Sequence, residues 1–168
     1  MSATFQWSGE YGSSVSPTIL DLGLSGNLFN FKDSDSLASP ADYTSYPITA
    51  GNNSYEIWLR GHFTGTFNKI QTAKFWKSSG DLGTGISILW DGTTVAYVTP
   101  IKTTSSIATD AIPTSSPSSA NVSFGGDLDG NITAAGYTDY IIMQMQTTVA
   151  TSAGDTNIYT YTMTYQEN

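Results

Sequence analysis

Two stretches of strict alternation constrain this chain more than anything else in it: Tyr137 to Val149 (YTDYIIMQMQTTV) and Asn157 to Tyr165 (NIYTYTMTY). In the first, Ile141, Met143, Met145, Thr147 and Val149 point one way, and Tyr140, Ile142, Gln144 and Gln146 the other. In the second, Tyr159, Tyr161, Met163 and Tyr165 share a face opposite Ile158, Thr160, Thr162 and Thr164. Successive side chains of a strand point to opposite faces, so a period of two over such lengths predicts two strands. The intervening Ala150 to Thr156 (ATSAGDT) is small and polar. That predicts a long antiparallel C-terminal hairpin near the middle of a sheet.

The rest of the chain continues the β pattern. Residues 3 to 7 (ATFQW) read as a short strand or part of an extended N-terminal arm over 1–16. Thr18 to Leu24 and Asn27 to Lys32 read as two short strands around Ser25-Gly26. Asp33 to Asn53 is rich in Ser, Asp, Pro and Gly and reads as a long surface connection, with Tyr43, Tyr46 and Ile48 to anchor it. Connections of that length are unusual in compact domains and often functional.

Ser54 to Gly61 (SYEIWLRG) alternates an apolar face (Tyr55, Ile57, Leu59) with Glu56, Trp58 and Arg60. The Trp58 ring is expected either under the protein's own loops or at an interface, where Trp and Arg are enriched. His62 to Phe67 and Ile70 to Trp76 are further strand-like runs. Asp91-Gly92, between Ile86–Trp90 and Thr93–Val98, predicts a two-residue hairpin, because Asp-Gly supplies the positive φ angles of a type I′ turn. That register puts Trp90, Ile88, Ile86, Thr93, Val95 and Tyr97 on one core face. Pro100 to Ala120 is Ser/Thr/Pro-rich, with Ile101, Ile107, Ala108 and Ile112 as anchors and a short helical turn near Ser105 to Ala111. Asn121 to Phe124 reads as a short strand and Gly125 to Ala135 as a glycine-rich loop. Regular short strands with turn signals predict one all-β domain over residues 1–168, an antiparallel β-sandwich or jelly roll.

Charge narrows the function classes. The formal net charge is −8, yet only 12% of the 168 residues are charged, about half the usual share. Every Lys and Arg lies between Lys32 and Lys102, and residues 57 to 80 hold Arg60, Lys69, Lys74 and Lys77 with no acid. From Thr103 onward there are six acids and no base. Such asymmetry can steer and orient a partner. It makes Trp58, Arg60, Lys69, Lys74 and Lys77, with the 33–53 connection, the expected partner-binding residues. Nucleic acid is disfavoured by the net negative charge. No apolar run reaches the ~18 residues of a membrane helix, and the N-terminus lacks the basic start and apolar run of a signal peptide.

Catalytic chemistry finds little support. There is no cysteine, and His62 is the one histidine, expected to be structural. The acids show no spacing that selects a glycosidase pair, so no catalytic residue and no cofactor are expected. Asp127, Asp129 and Asn131 (DLDGN) resemble the start of a calcium loop but lack its downstream glutamate, and they read first as an Asp-rich turn. Sugar binding is a further option, since lectin-like sandwiches stack Trp or Tyr on sugar rings and the chain holds four Trp and ten Tyr.

Three stretches carry a family resemblance: Asn53 to Gly80 (NSYEIWLRGHFTGTFNKIQTAKFWKSSG), Thr93 to Val122, and Gly136 to Glu167. In a strand ending WLR, a KFW cluster and a final Tyr/Thr strand, they resemble small β-rich virion proteins of tailed double-stranded DNA bacteriophages. The resemblance implies a non-enzymatic capsid decoration or auxiliary protein of the virion. It would assemble in the bacterial cytoplasm, bind the shell of major capsid protein and act as a symmetric homo-oligomer such as a trimer. Other positions consistent with it are neck, tail or baseplate. A carbohydrate-binding module of a receptor-binding structure is the alternative from a different class.

Overall fold

In the computed structural model, the described residues are 2–23, 29–37, 44–152 and 158–168. They form an all-β structure of two antiparallel sheets packed as a sandwich. The larger sheet contains β1 (Ala3–Tyr11), β2 (Thr18–Gly23), β3 (Ile57–Gly65), β5 (Ile86–Thr94), β6 (Asp110–Ala111), β8 (Gly136–Tyr137) and β9 (Tyr140–Thr147). Its order is β2-β1-β3-β9-β5-β6, with β8 also on β3. The smaller sheet contains β4 (Ile70–Ser79), β7 (Asn131–Ile132) and β10 (Thr160–Glu167), in the order β10-β4-β7. Residues 3–7 open a strand that pairs with β3 from Ala3 onward and also with β2 from Trp7 onward, rather than a free arm.

Both long alternating runs are strands, but they do not form a hairpin with each other. β9 lies between β3 and β5 in the large sheet, whereas β10 pairs with β4 in the small one. The side-chain chemistry explains the split. β9 is apolar on both faces, with Ile141, Met143 and Met145 in the main core and Tyr140 and Ile142 in a second cluster. It therefore suits a central strand covered on both sides. β10 is apolar on one face only. Tyr161 stacks on Phe75 with ring centroids 5.6 Å apart, and Tyr165 meets Phe63 edge-on at 4.7 Å. Its threonines point outward, as expected for a strand with one solvated face. The centre of the predicted connecting loop, residues 153–157, lies outside the described residues, as do Tyr43 and the start of the predicted Asn27–Lys32 strand. Residues 29–32 are irregular, although Phe29 and Phe31 still pack on the core.

The Asp-Gly pair also departs from expectation. β5 runs straight through Asp91-Gly92 and stays paired with β9, with an irregularity between Asp91 and Thr94. The Asp91 carboxylate accepts bonds from the backbone N–H and the hydroxyl of both Thr93 and Thr94. This local network offers the backbone an alternative to a reversal. Gly92 is needed for a different reason: a Cβ there would come within 2.4 Å of the Asn121 carbonyl oxygen. Ile88 and Trp90 are core, but Val95 is 56% exposed, so the strand's inward face ends before it.

Asn121 shows how an irregular segment is held against a strand. Its side-chain oxygen accepts from Phe75 N–H at 2.8 Å, and its amide donates to Phe75 C=O at 2.8 Å. One side chain thus does the work of a neighbouring strand residue. Asn121→Ala would leave both groups without their partner, and we expect a loss of about 1–3 kcal/mol in chemical denaturation. Asn121→Asp should not restore it, because a carboxylate cannot donate to the Phe75 carbonyl.

Candidate functional site

The outer face of the large sheet, turned away from the small sheet, collects the polar and aromatic residues that a function could use. Cross-strand register sets them in rows: Gln6 opposite His62, Ser8 opposite Arg60, and Glu10 opposite Trp58. Directly opposed residues in an antiparallel pair share a face, so these side chains form one surface with Tyr137 and Tyr140.

Arg60 is its centre. Its guanidinium bonds the Glu10 carboxylate at 2.5 Å and lies over the rings of Tyr137 and Tyr140 at 4.1 and 4.7 Å. These are cation–π distances, and they hold the charge in place without a free counter-ion site. His62 stacks on Tyr137 at 4.2 Å, and Gln6 Nε2 donates to its Nδ1 at 3.1 Å. Burial pushes the Tyr140 hydroxyl well above its ordinary pKa, with the neighbouring Glu10 carboxylate adding to the effect. The patch is therefore a locked polar cluster: its cation, its histidine and its carboxylate already have partners.

Half of this face is roofed. Trp58 is fully buried, and with Tyr140 and Ile142 it packs under Ala108, Ile107 and Tyr97. Trp58 meets Tyr97 and Tyr140 edge-on at 5.1 and 5.3 Å, and its indole N–H donates to Glu56 Oε2 at 3.2 Å. The same Glu56 oxygen accepts from Ile101 N–H. Gln144, also fully buried, accepts from Ser105 N–H at 2.9 Å and donates to Thr103 C=O at 2.8 Å and Ser54 C=O at 3.1 Å. These groups pin the 95–112 connection flat on the sheet. Its Ser105 hydroxyl accepts from Ile107 and Ala108 N–H and makes a turn where a short helical turn was expected. Tyr97 then reaches Gly12 C=O at 2.7 Å, which ties in the 12–17 loop.

The five expected contact residues do not make one face. Trp58 lies under the roof and Arg60 is 21% exposed within its cluster. Lys74 points outward from β4, between the inward Ala73 and Phe75, so it lies on the opposite side of the sandwich from Arg60. Lys77 points inward, is 7% exposed, and donates from Nζ to Gly80 C=O. Lys69, just before β4, is partly exposed. Sequence spacing groups these cations because β3 and β4 are adjacent in the chain, but the two strands belong to different sheets.

The 33–53 connection is anchored rather than free at its described ends. Leu37 is buried, Asp33 pairs with Lys102 at 2.6 Å, and Asp35 accepts from Gly12 N–H at 2.9 Å. Burial raises the Asp35 pKa. A cavity beside it, lined by Glu10, Lys32, Asp35 and Glu56, measures about 10 Å³. That is room for about one water, against the several hundred Å³ of a small-molecule site.

The Asp127–Asn131 loop closes on itself. Asp127 Oδ1 accepts from Asp129 N–H at 2.9 Å, its C=O accepts from Gly130 N–H at 3.0 Å, and Asn131 pairs with Gln71 in β7. Among the described residues, no three His, Cys, Asp or Glu side chains converge as a metal site would require. The carboxylate that organises this region is Asp139. It accepts from the Ser123 hydroxyl at 2.5 Å and from Gly125 and Gly126 N–H at 3.1 and 2.7 Å. Nothing in its sequence context marks it out.

Several aliphatic side chains are left in solvent, among them Val149 and Ile158 away from the roof and a group on the roof and the loops beside it. Val15 is 93% exposed, Val95 56% and Val98 47%. Ser14 N–H bonds Thr99 Oγ1 at 2.8 Å, which sets the 12–17 loop beside the roof. Ile19, 55% exposed, stands opposite Glu10 on the edge strand β2, on this same side. No family model, no curated protein and no solved structure matches the chain.

Proposed function

We propose that this protein is a bacteriophage virion structural protein that decorates or cements the assembled capsid, acting by adhesion and not by turnover. The observation that carries the reading is the set of solvent-exposed aliphatic residues Val15, Ile19, Val95 and Val98 on the roof side of the large sheet. Apolar side chains gathered on a surface mark places where proteins meet. Here Val15, Val95 and Val98 sit on loops tied down through Tyr97, Glu56 and Gln144, and Ile19 sits on strand β2, so docking would cost little further ordering. The docking surface is therefore this roof and the adjoining β2 edge, in place of the scattered cations. The partner is the shell of major capsid protein. A ligand that binds only the assembled shell stabilises it by mass action. The outer edge of β2, unpaired among the described residues, suits closure into a symmetric homo-oligomer, a trimer being the form the family resemblance implies.

The test is co-sedimentation of purified protein with empty phage heads. Val15→Asp combined with Val98→Asp is expected to lower head affinity by about tenfold or more while leaving the melting temperature unchanged, since both side chains are in solvent. Undiminished head binding by the double variant would remove the roof as the docking surface. Failure of the unaltered protein to bind heads would remove the decoration reading itself.

A further inference from the structure

Three of the four tryptophans are accounted for by packing. Trp7 meets Phe5 and Phe75, Trp58 meets Tyr97 and Tyr140, and Trp90 meets Phe75. Trp76 differs. It lies on the outward face of β4, between the outward Lys74 and Ser78, and is partly exposed. Among the described residues its ring has no aromatic partner and its indole N–H has no acceptor, yet the N–H is not buried. A tryptophan joins a large apolar face to a polar handle, and a buried one normally satisfies both. Here the N–H has no acceptor among the described residues and part of the ring stays in solvent.

The surroundings of Trp76 specify what they suit. Cross-strand register places Thr162 directly opposite Trp76 and Thr164 directly opposite Lys74. Thr162 Oγ1 bonds Ser78 Oγ at 2.8 Å, and Ser78 Oγ bonds Thr160 C=O at 3.2 Å. Lys74 Nζ donates to Ser118 C=O at 3.0 Å, which fixes the ammonium two residues along the same face with two further protons to give. The outward face thus offers one aromatic side chain bordered by the Thr162 and Ser78 hydroxyls, whose protons are given within the face and whose lone pairs remain to accept, one ammonium, and a single exposed aliphatic side chain, Ile158, at the end of the Thr164, Thr162, Thr160 row. Protein-docking cores are richer in apolar groups than this. A nucleic acid would meet one local cation on a chain of net charge −8. A pyranose ring presents an apolar C–H face for stacking and a rim of hydroxyls for bonding, which matches both parts of the surface.

We propose that the outer face of the three-stranded sheet is a carbohydrate-binding platform, with the Trp76 ring stacking on a pyranose and the bordering Thr162, Ser78 and Lys74 bonding its hydroxyls. The site lies on the opposite side of the sandwich from the roof, so it neither requires capsid decoration nor is removed if that reading fails.

The experiment is titration of the full chain, labelled at the tryptophan indole nitrogen for NMR, with maltohexaose, chitohexaose and hexagalacturonate in turn. At least one is expected to shift the Trp76 indole N–H resonance while leaving that of the buried Trp58 in place. Trp76→Ala is expected to weaken that saccharide by about tenfold or more, and Trp76→Phe to retain part of the affinity, with the melting temperature unchanged in both. A preference for hexagalacturonate that is lost in Lys74→Gln would assign the ammonium to a sugar carboxylate. No response to any of the three saccharides overturns the proposal, as does equal binding by Trp76→Ala. Loss of head binding in Trp76→Ala without any saccharide response would also overturn it, by making this face a protein contact.

Discussion

Trp58→Ala is expected to destabilise the protein by about 3–5 kcal/mol, the range for deleting a buried aromatic side chain. The side chain is wholly out of solvent, and removing it opens a void bounded by Tyr97, Ala108, Tyr140 and Ile142. It also takes the indole N–H from Glu56 Oε2, a carboxylate whose other oxygen is buried without a partner. That leaves the buried carboxylate with the Ile101 N–H as its one donor among the described residues, and a buried acid short of donors adds its own desolvation cost. Guanidinium denaturation should therefore show a markedly lower midpoint, and hydrogen exchange should accelerate first in the 95–112 roof. An interface tryptophan would behave oppositely, leaving the midpoint in place and lowering only partner affinity. A stability change below about 1 kcal/mol would contradict the buried position, because surface substitutions seldom exceed ±0.5 kcal/mol.

Gln144→Leu tests the same roof through hydrogen bonds rather than volume. Leucine fills nearly the same space, so packing loss is small. The substitution strips the bond to Ser105 N–H and the bonds to Ser54 and Thr103 C=O from an enclosed region. Each buried backbone group left unpaired costs about 1–3 kcal/mol, and partial rehydration at the roof edge keeps the sum near the low end. We expect about 3 kcal/mol in equilibrium unfolding. The Ser105 amide should lose protection from exchange well before the β9 backbone does. Simultaneous loss of protection in both would mean that the roof and the sheet open as one unit, and that Gln144 is not a local fastener.

How much of this was legible beforehand follows from what each signal depends on. The shared face of Tyr159, Tyr161, Met163 and Tyr165 and the two opposite sets of β9 come from side-chain period, which is a local property; the structure turns the first set toward the core and buries most of both sets of β9. Pairing is not local. β9 and β10 alternate equally well, but only β9 is apolar on both faces, and that difference is what sends them to separate sheets. The Asp-Gly signal was overridden because Asp91 spends its carboxylate on Thr93 and Thr94, and because Gly92 is held against Asn121 by a contact 29 residues away in sequence. The candidate site was legible only as residue types. Arg60 and Trp58 do share a face, but Lys74 leaves by the other side, and no periodicity within β3 or β4 reports which sheet each will join. Trp76 reads in the sequence as one member of a KFW cluster. Its isolation from the other aromatic rings emerges only when the inward and outward sides of β4 are assigned.

The placement of β9 between β3 and β5 also governs when this chain can fold as it is made. Those neighbours end at Gly65 and Thr94, yet the strand that joins them begins at Tyr140. A ribosome-bound chain ending before that point holds two half-sheets with exposed rims and no ladder between them. Closing such long loops slows folding, so emergence of Tyr140–Thr147, and not of the earlier strands, should set the onset of native structure in the large sheet.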